Sequence, residues 1–170
     1  GRQRYSLVDE HLHDAALKLL ELEGDLRRAL QRQEFEPYYQ PIVSLADGKL
    51  VGFEALMRWH HPQRGLLVPG EFIAIAEETG SLEAMDWQLY ELVCAELPQL
   101  CRNGGYATLN VSPRHLRAPD FDQRLLALMS RHAVKPGQLR LEVTEGALLE
   151  QPELVQGCLG RLRDAGVLTL

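Results

Sequence analysis

Residues 49–61 read KLVGFEALMRWHH. The alternation marks a β-strand, because successive strand residues point to opposite faces. Val51, Phe53, Ala55, Met57 and Trp59 then form a broad apolar surface for packing. Gly52, Glu54, Leu56, Arg58 and His60 share the other face, so two charges sit together on a strand otherwise suited to a core. The strand alone leaves two explanations open. One is an internal ion pair, a weak stabiliser because desolvation roughly cancels the attraction; the other is a functional pair.

Working outward, EFEPYYQPIVSLA (34–46) is also strand-like, and Asp47-Gly48 between the two strands is a hairpin signal that makes them antiparallel. Residues 10–33 carry leucines at helical spacing and are expected to form a helix covering the domain or linking it to one upstream. After the hairpin the rhythm changes. Helices are expected over PGEFIAIAEETG (69–80) and LEAMDWQLYELVCAELPQL (82–100), a strand over YATLNVS (106–112), and a helix over FDQRLLALMSRHAV (121–134). A strand over QLRLEVTE (138–145), a helix over PELVQGCLGRLRDAG (152–166) stopped by Gly166, and a strand begun by VLTL (167–170) complete the series. Strand–helix alternation predicts βα units with a parallel sheet after the initial hairpin.

The chain has 170 residues, 45% of them hydrophobic, enough for one domain with a sizeable core. Its net charge of −6 argues against a nucleic acid polymer or an anionic membrane as partner, but not against a small phosphate ligand met by a local Arg or metal ion. There is no signal peptide and no apolar run of membrane-spanning length. Cys94, Cys101 and Cys158 lack metal-ligand spacing and read as reduced core residues, which favours the cytoplasm. His60-His61 suggests a metal pair, but adjacent strand residues face opposite ways, and the two are assigned to a loop. Trp59, Trp87 and Tyr38-Tyr39 read as packing residues, and Glu77-Glu78 as a solvated face.

In parallel α/β folds, ligands bind beyond the carboxyl ends of the strands. Asn110 ends one predicted strand, and Glu142 and Glu145 lie near the end of the next. Glu54, Asn110 and Glu142 would converge there as oxygen donors suited to Mg²⁺ or Mn²⁺. Arg58 could take a phosphate oxygen. This set suggests metal-assisted phosphoryl or phosphodiester chemistry.

The same residues carry a family resemblance. YYQPIVSLADGKLVGFEALMRWHHPQRGLLVPGEFIAIAEETG (38–80), then LNVSP (109–113) and LEVTE (141–145), closely resemble the first part of the EAL domain of bacterial cyclic di-GMP phosphodiesterases. The resemblance implies a modified TIM (β/α)₈ barrel with an antiparallel first strand, of which residues 34–170 are roughly the first half of the ~250 in a typical barrel. It implies hydrolysis of cyclic di-GMP to linear pGpG with Mg²⁺ or Mn²⁺, and a homodimer formed through the EAL domain. Glu54 matches a catalytic metal ligand, and Asn110 and Glu142 match further metal ligands. Arg58 and Gln40 match substrate-binding residues, and Glu145 a glutamate that helps hold a loop over the metals. Residues 1–33 resemble the tail of a GGDEF domain with its linker helix, implying a parent with both domains and compatible with tethering to the inner membrane. Active members continue beyond the VLTL strand with an Asp-Asp pair in a DDFGTG-like stretch, then a Lys, a Glu and a Gln. The chain ends before these, so the 170 residues alone are expected to be inactive and to leave an open strand edge at Leu170. The alternative from another class is a non-catalytic cyclic di-GMP receptor.

Overall fold

The computed structural model describes residues 20–149 and 151–170, which fall into two compact units. One comprises residues 20–36 and Arg58–Asp86; the other comprises Pro37–Met57 and Trp87–Leu170. Strands β1 (Phe35–Val43) and β2 (Leu50–His61) run through the division.

In the first unit, helix α1 (residues 20–32) buries Leu22, Leu26 and Ala29 at spacings of four and three, one helical stripe. The earlier part of the expected 10–33 helix lies outside the described residues. The end of β2 pairs antiparallel with the short β3 (Gly65–Leu67), Trp59 opposite Leu67 and His61 opposite Gly65. Trp59 is fully buried, with Phe35 and Phe72 ring centroids 5.5 and 5.7 Å away, and its Nε1–H donates to Glu34 at 3.0 Å. A 3₁₀ turn (Pro69–Glu71) leads into α2 (Ile73–Glu78). The histidine pair does not form a loop. β3 folds back on β2 and extends it through both residues, leaving His60 exposed beside Glu36 and His61 buried.

In the second unit the β1–β2 hairpin closes through Ser44 N–H to the Lys49 carbonyl (2.8 Å) and Gly48 N–H to the Ser44 carbonyl (2.8 Å), as Asp47-Gly48 predicted. β2, β4 (Tyr106–Asn110), β5 (Leu139–Glu142) and β6 (Leu168–Thr169) lie side by side in that order, all parallel. Helices α3 (Leu82–Leu100), α4 (Pro113–Arg117), α5 (Phe121–Arg131), α6 (Glu145–Leu149) and α7 (Pro152–Asp164) fill the connections. Leu89, Val93 and Leu97 of α3 recur every fourth residue and are buried, as are Phe121, Leu125 and Leu128 of α5 and Val155, Cys158 and Leu162 of α7. All three cysteines are free and buried, and burial beside the Glu91 carboxylate pushes the Cys94 thiol up to about 12. Gly166 closes α7 with a φ of 86°, a backbone conformation that side chains disfavour. β6 is the last strand in the sheet, and Leu168 and Leu170 stay largely exposed.

Gly52 on β2 stands opposite Tyr106 on β4. A Cβ there would lie 2.7 Å from the Tyr106 carbonyl oxygen and 2.8 Å from its ring. Backbone cannot yield cheaply, so Gly52→Ala should cost about 1–3 kcal/mol of overpacking strain. A urea titration would show it as a lowered midpoint, and an unchanged midpoint would contradict this packing.

Asp122, buried on α5, accepts from Arg161 of α7 at 2.5 Å (Nε–H) and 3.4 Å (Nη2–H). The Arg161 hydrogen bond holds its carboxyl below the usual carboxylate range despite burial. The folded value is thus below the unfolded one of about 4, so the pair stabilises above that pH and fades as pH falls through the folded value. The deficit of Asp122→Asn relative to the native chain should shrink between pH 7 and pH 3. Equal deficits at both pH values would exclude that linkage.

Candidate active site

Tyr39 and Phe53 meet edge-on, 6.2 Å between centroids, and the Tyr39 hydroxyl donates to Glu96 of α3 at 2.7 Å. Burial and that carboxylate push the Tyr39 phenol well up. Since Tyr39 and Phe53 share the helix-covered face, alternation turns Gln40 and Glu54 to the opposite one. Gln40 is exposed there, and Glu54 is half-buried.

Across the parallel sheet, Glu54 aligns with Thr108, and Asn110 aligns with Glu142. Asn110 stands one side-chain row nearer the carboxyl ends, and its Nδ2–H reaches back to Glu54 Oε1 at 3.1 Å. The backbone holds this corner. Tyr90 of α3 donates its hydroxyl to the Asn110 carbonyl at 3.2 Å, and Val111 N–H bonds to the Glu142 carbonyl at 3.1 Å. With Nδ2 occupied, Asn110 retains its amide oxygen as a donor alongside the two glutamates. Two carboxylates and an amide oxygen fit a hard divalent cation. Among the described residues no three His, Cys, Asp or Glu side chains form a ready metal cluster, so the candidate set is a mixed one.

Two expected site residues remain. Arg58 lies farther along β2, half-buried, in the first unit. Glu145 is not on strand β5. The strand ends at Glu142, the Thr144 carbonyl takes the Ala147 N–H at 3.0 Å, and Glu145 opens helix α6 as an exposed residue.

Two polar residues level with Glu54 carried no expectation. Thr108 and Arg140 align with each other in the row of Glu54, and Thr108 Oγ1 and Arg140 Nε are buried without hydrogen-bond partners among the described residues. The Arg140 guanidinium carbon lies 3.4 Å from the Tyr106 ring centroid. Each sits two residues before an identified candidate, and that spacing was the available signal.

The EAL domain family model matches residues 23–169. The chain belongs to the EAL domain family. This EAL chain is 35% identical over 173 residues to the bifunctional diguanylate cyclase/cyclic di-GMP phosphodiesterase MucR of Pseudomonas aeruginosa, a match covering 98% of the chain and 25% of MucR. It is 36% identical over 172 residues to the cyclic di-GMP phosphodiesterase NbdA of the same organism, covering 98% of the chain and 22% of NbdA. The chain therefore spans about a quarter or less of these curated relatives. The solved PaMucR phosphodiesterase complex with c-di-GMP superposes with a TM-score of 0.80 at 31% identity, covering 88% of this EAL chain and 62% of that one. The α/β fold is thus TIM-barrel-like, as EAL domains are. Among the described residues no helix is long and apolar enough to cross a membrane.

Proposed function

We propose that residues 34–170 form the first part of an EAL domain that hydrolyses cyclic di-GMP to pGpG. The observation that carries this reading is Asn110, bonded to Glu54 of β2 and level with Glu142, the two ending adjacent parallel strands β4 and β5. Similarity to MucR and NbdA over 98% of the chain supports the substrate.

In this mechanism Glu54, Asn110 and Glu142 would hold Mg²⁺ or Mn²⁺, which when bound would supply Lewis acidity for attack by water. Arg58 binds a phosphate oxygen and Gln40 contributes to the substrate site, while Glu145, at the start of α6, helps hold a loop over the metal site. Asn110 and Tyr90 keep the Glu54 carboxylate in place through the contacts above. We read residues 1–33 as the end of a GGDEF domain with a linker helix, in a cytoplasmic parent that dimerises through its EAL domains and is compatible with an inner-membrane tether.

The test is conversion of cyclic di-GMP to pGpG by the complete EAL domain, followed chromatographically with Mg²⁺, with Mn²⁺ and after chelation. Metal-dependent pGpG formation is expected. Binding without turnover would make the domain a receptor, and absence of binding would reject both readings.

A further inference from the structure

His61 ends β2 with its side chain almost fully buried, although its ring is polar at both nitrogens. The backbone N–H groups of Gln63 and Arg64 both donate to Nδ1, each at 3.1 Å. An acceptor at Nδ1 leaves the proton on Nε2, which donates to Asp25 Oδ2 of α1 at 3.1 Å. Arg28 holds the other oxygen of Asp25 at 2.5 Å. Burial raises the Asp25 carboxyl, but the His61 and Arg28 hydrogen bonds outweigh it and bring the group below its ordinary range. An ion pair, Arg64 to Glu21 at 3.8 Å, joins the same helix to the same turn.

An apolar stripe such as Leu22, Leu26 and Ala29 can slip along its contact surface, whereas a part-buried hydrogen bond between charged and neutral partners fixes one register. The segment it fixes is short. Arg58 lies three residues before His61, with Trp59 bonded to Glu34 and His60 paired with Glu36 between them. We propose that Asp25 and His61 form a clamp through which helix α1 positions the end of β2, making His61 a positioning residue for phosphate recognition by Arg58. The clamp rests on this chain's own geometry; its consequence for phosphate rests on the function proposed above. Motion of α1 is thereby felt at the substrate contact.

The test uses the complete protein with Asp25→Ala, Asp25→Asn, His61→Asn and the double variant Asp25→Ala/His61→Asn. Asparagine at 61 can still accept the two backbone N–H groups but falls short of Asp25, and asparagine at 25 keeps an acceptor for His61. Hydrogen exchange of α1 amides reads the clamp, and the KM for cyclic di-GMP (or Kd, without turnover) reads its consequence. Loss of a charged hydrogen bond should speed α1 exchange by about tenfold in Asp25→Ala and in His61→Asn. Both should raise KM several-fold with kcat little changed, the double variant should be no worse than either, and Asp25→Asn should recover most of the loss. Unchanged α1 exchange would overturn the clamp. Faster exchange with unchanged KM would overturn the positioning role. A native protein that binds no cyclic di-GMP would overturn the functional reading and the positioning role with it, and the exchange data would still decide the clamp.

Discussion

Glu54→Gln should lower metal-dependent hydrolysis of cyclic di-GMP by the complete domain at least about a hundredfold, since a coordinated cation contributes several kcal/mol to such chemistry. The substitution preserves size, and a glutamine oxygen can still accept from Asn110 Nδ2, now 3.1 Å from Glu54 Oε1. The β2–β4 pairing from Gly52–Tyr106 to Ala55–Leu109 needs nothing from the Glu54 charge. What disappears is one negative charge. Initial rates across a Mn²⁺ titration would check this, with the thermal midpoint as a control for folding. Turnover within threefold of the native domain would exclude Glu54 as a metal ligand.

Trp59→Ala should cost about 3–5 kcal/mol, much of the stability of a typical domain. Trp59 is fully buried, its ring centroid 5.5 Å from Phe35, 5.7 Å from Phe72 and 4.9 Å from His61. Truncation empties the middle of that cluster and leaves Glu34 without its Nε1–H donor at 3.0 Å. Trp59→Phe keeps a ring in the cluster and should cost clearly less. Urea unfolding of both variants measures the difference, and a loss below about 1 kcal/mol in Trp59→Ala would contradict this core.

The contrast between Glu54 and Trp59 explains what was legible in the sequence. Both lie on β2, and period-two alternation alone assigned Trp59 to packing and Glu54 to the opposite face. Helical spacing in α3 and the α5 and α7 patterns were legible for the same reason: each buries its own stripe. The short elements were not. β3 has three residues and exists through its pairing with β2, which also drew His60 and His61 into the strand. The partners that make His61 comfortable while buried include Asp25, 36 residues away, and no local pattern announces such a contact. Helix α4 did leave a signal: Ser112 caps it, accepting from His115 N–H at 3.4 Å, and Pro113 opens it. Glu145 was assigned to the strand because Val143 and Thr144 favour extended backbone, whereas the turn closed by Thr144 and Ala147 starts a helix. Asn110 and Glu142 were visible because each closes a strand pattern. Thr108 and Arg140 were passed over because lone polar residues inside strands are common on half-buried faces.

The central claim is that Glu54, Asn110 and Glu142 together hold a divalent cation. Anomalous diffraction from crystals of the complete domain grown with Mn²⁺ and cyclic di-GMP tests it most directly. The account predicts a Mn²⁺ peak within about 2.3 Å of an oxygen from each of the three side chains. A Mn²⁺ peak bound elsewhere in the domain, with Asn110 still turned only to Glu54, would contradict it.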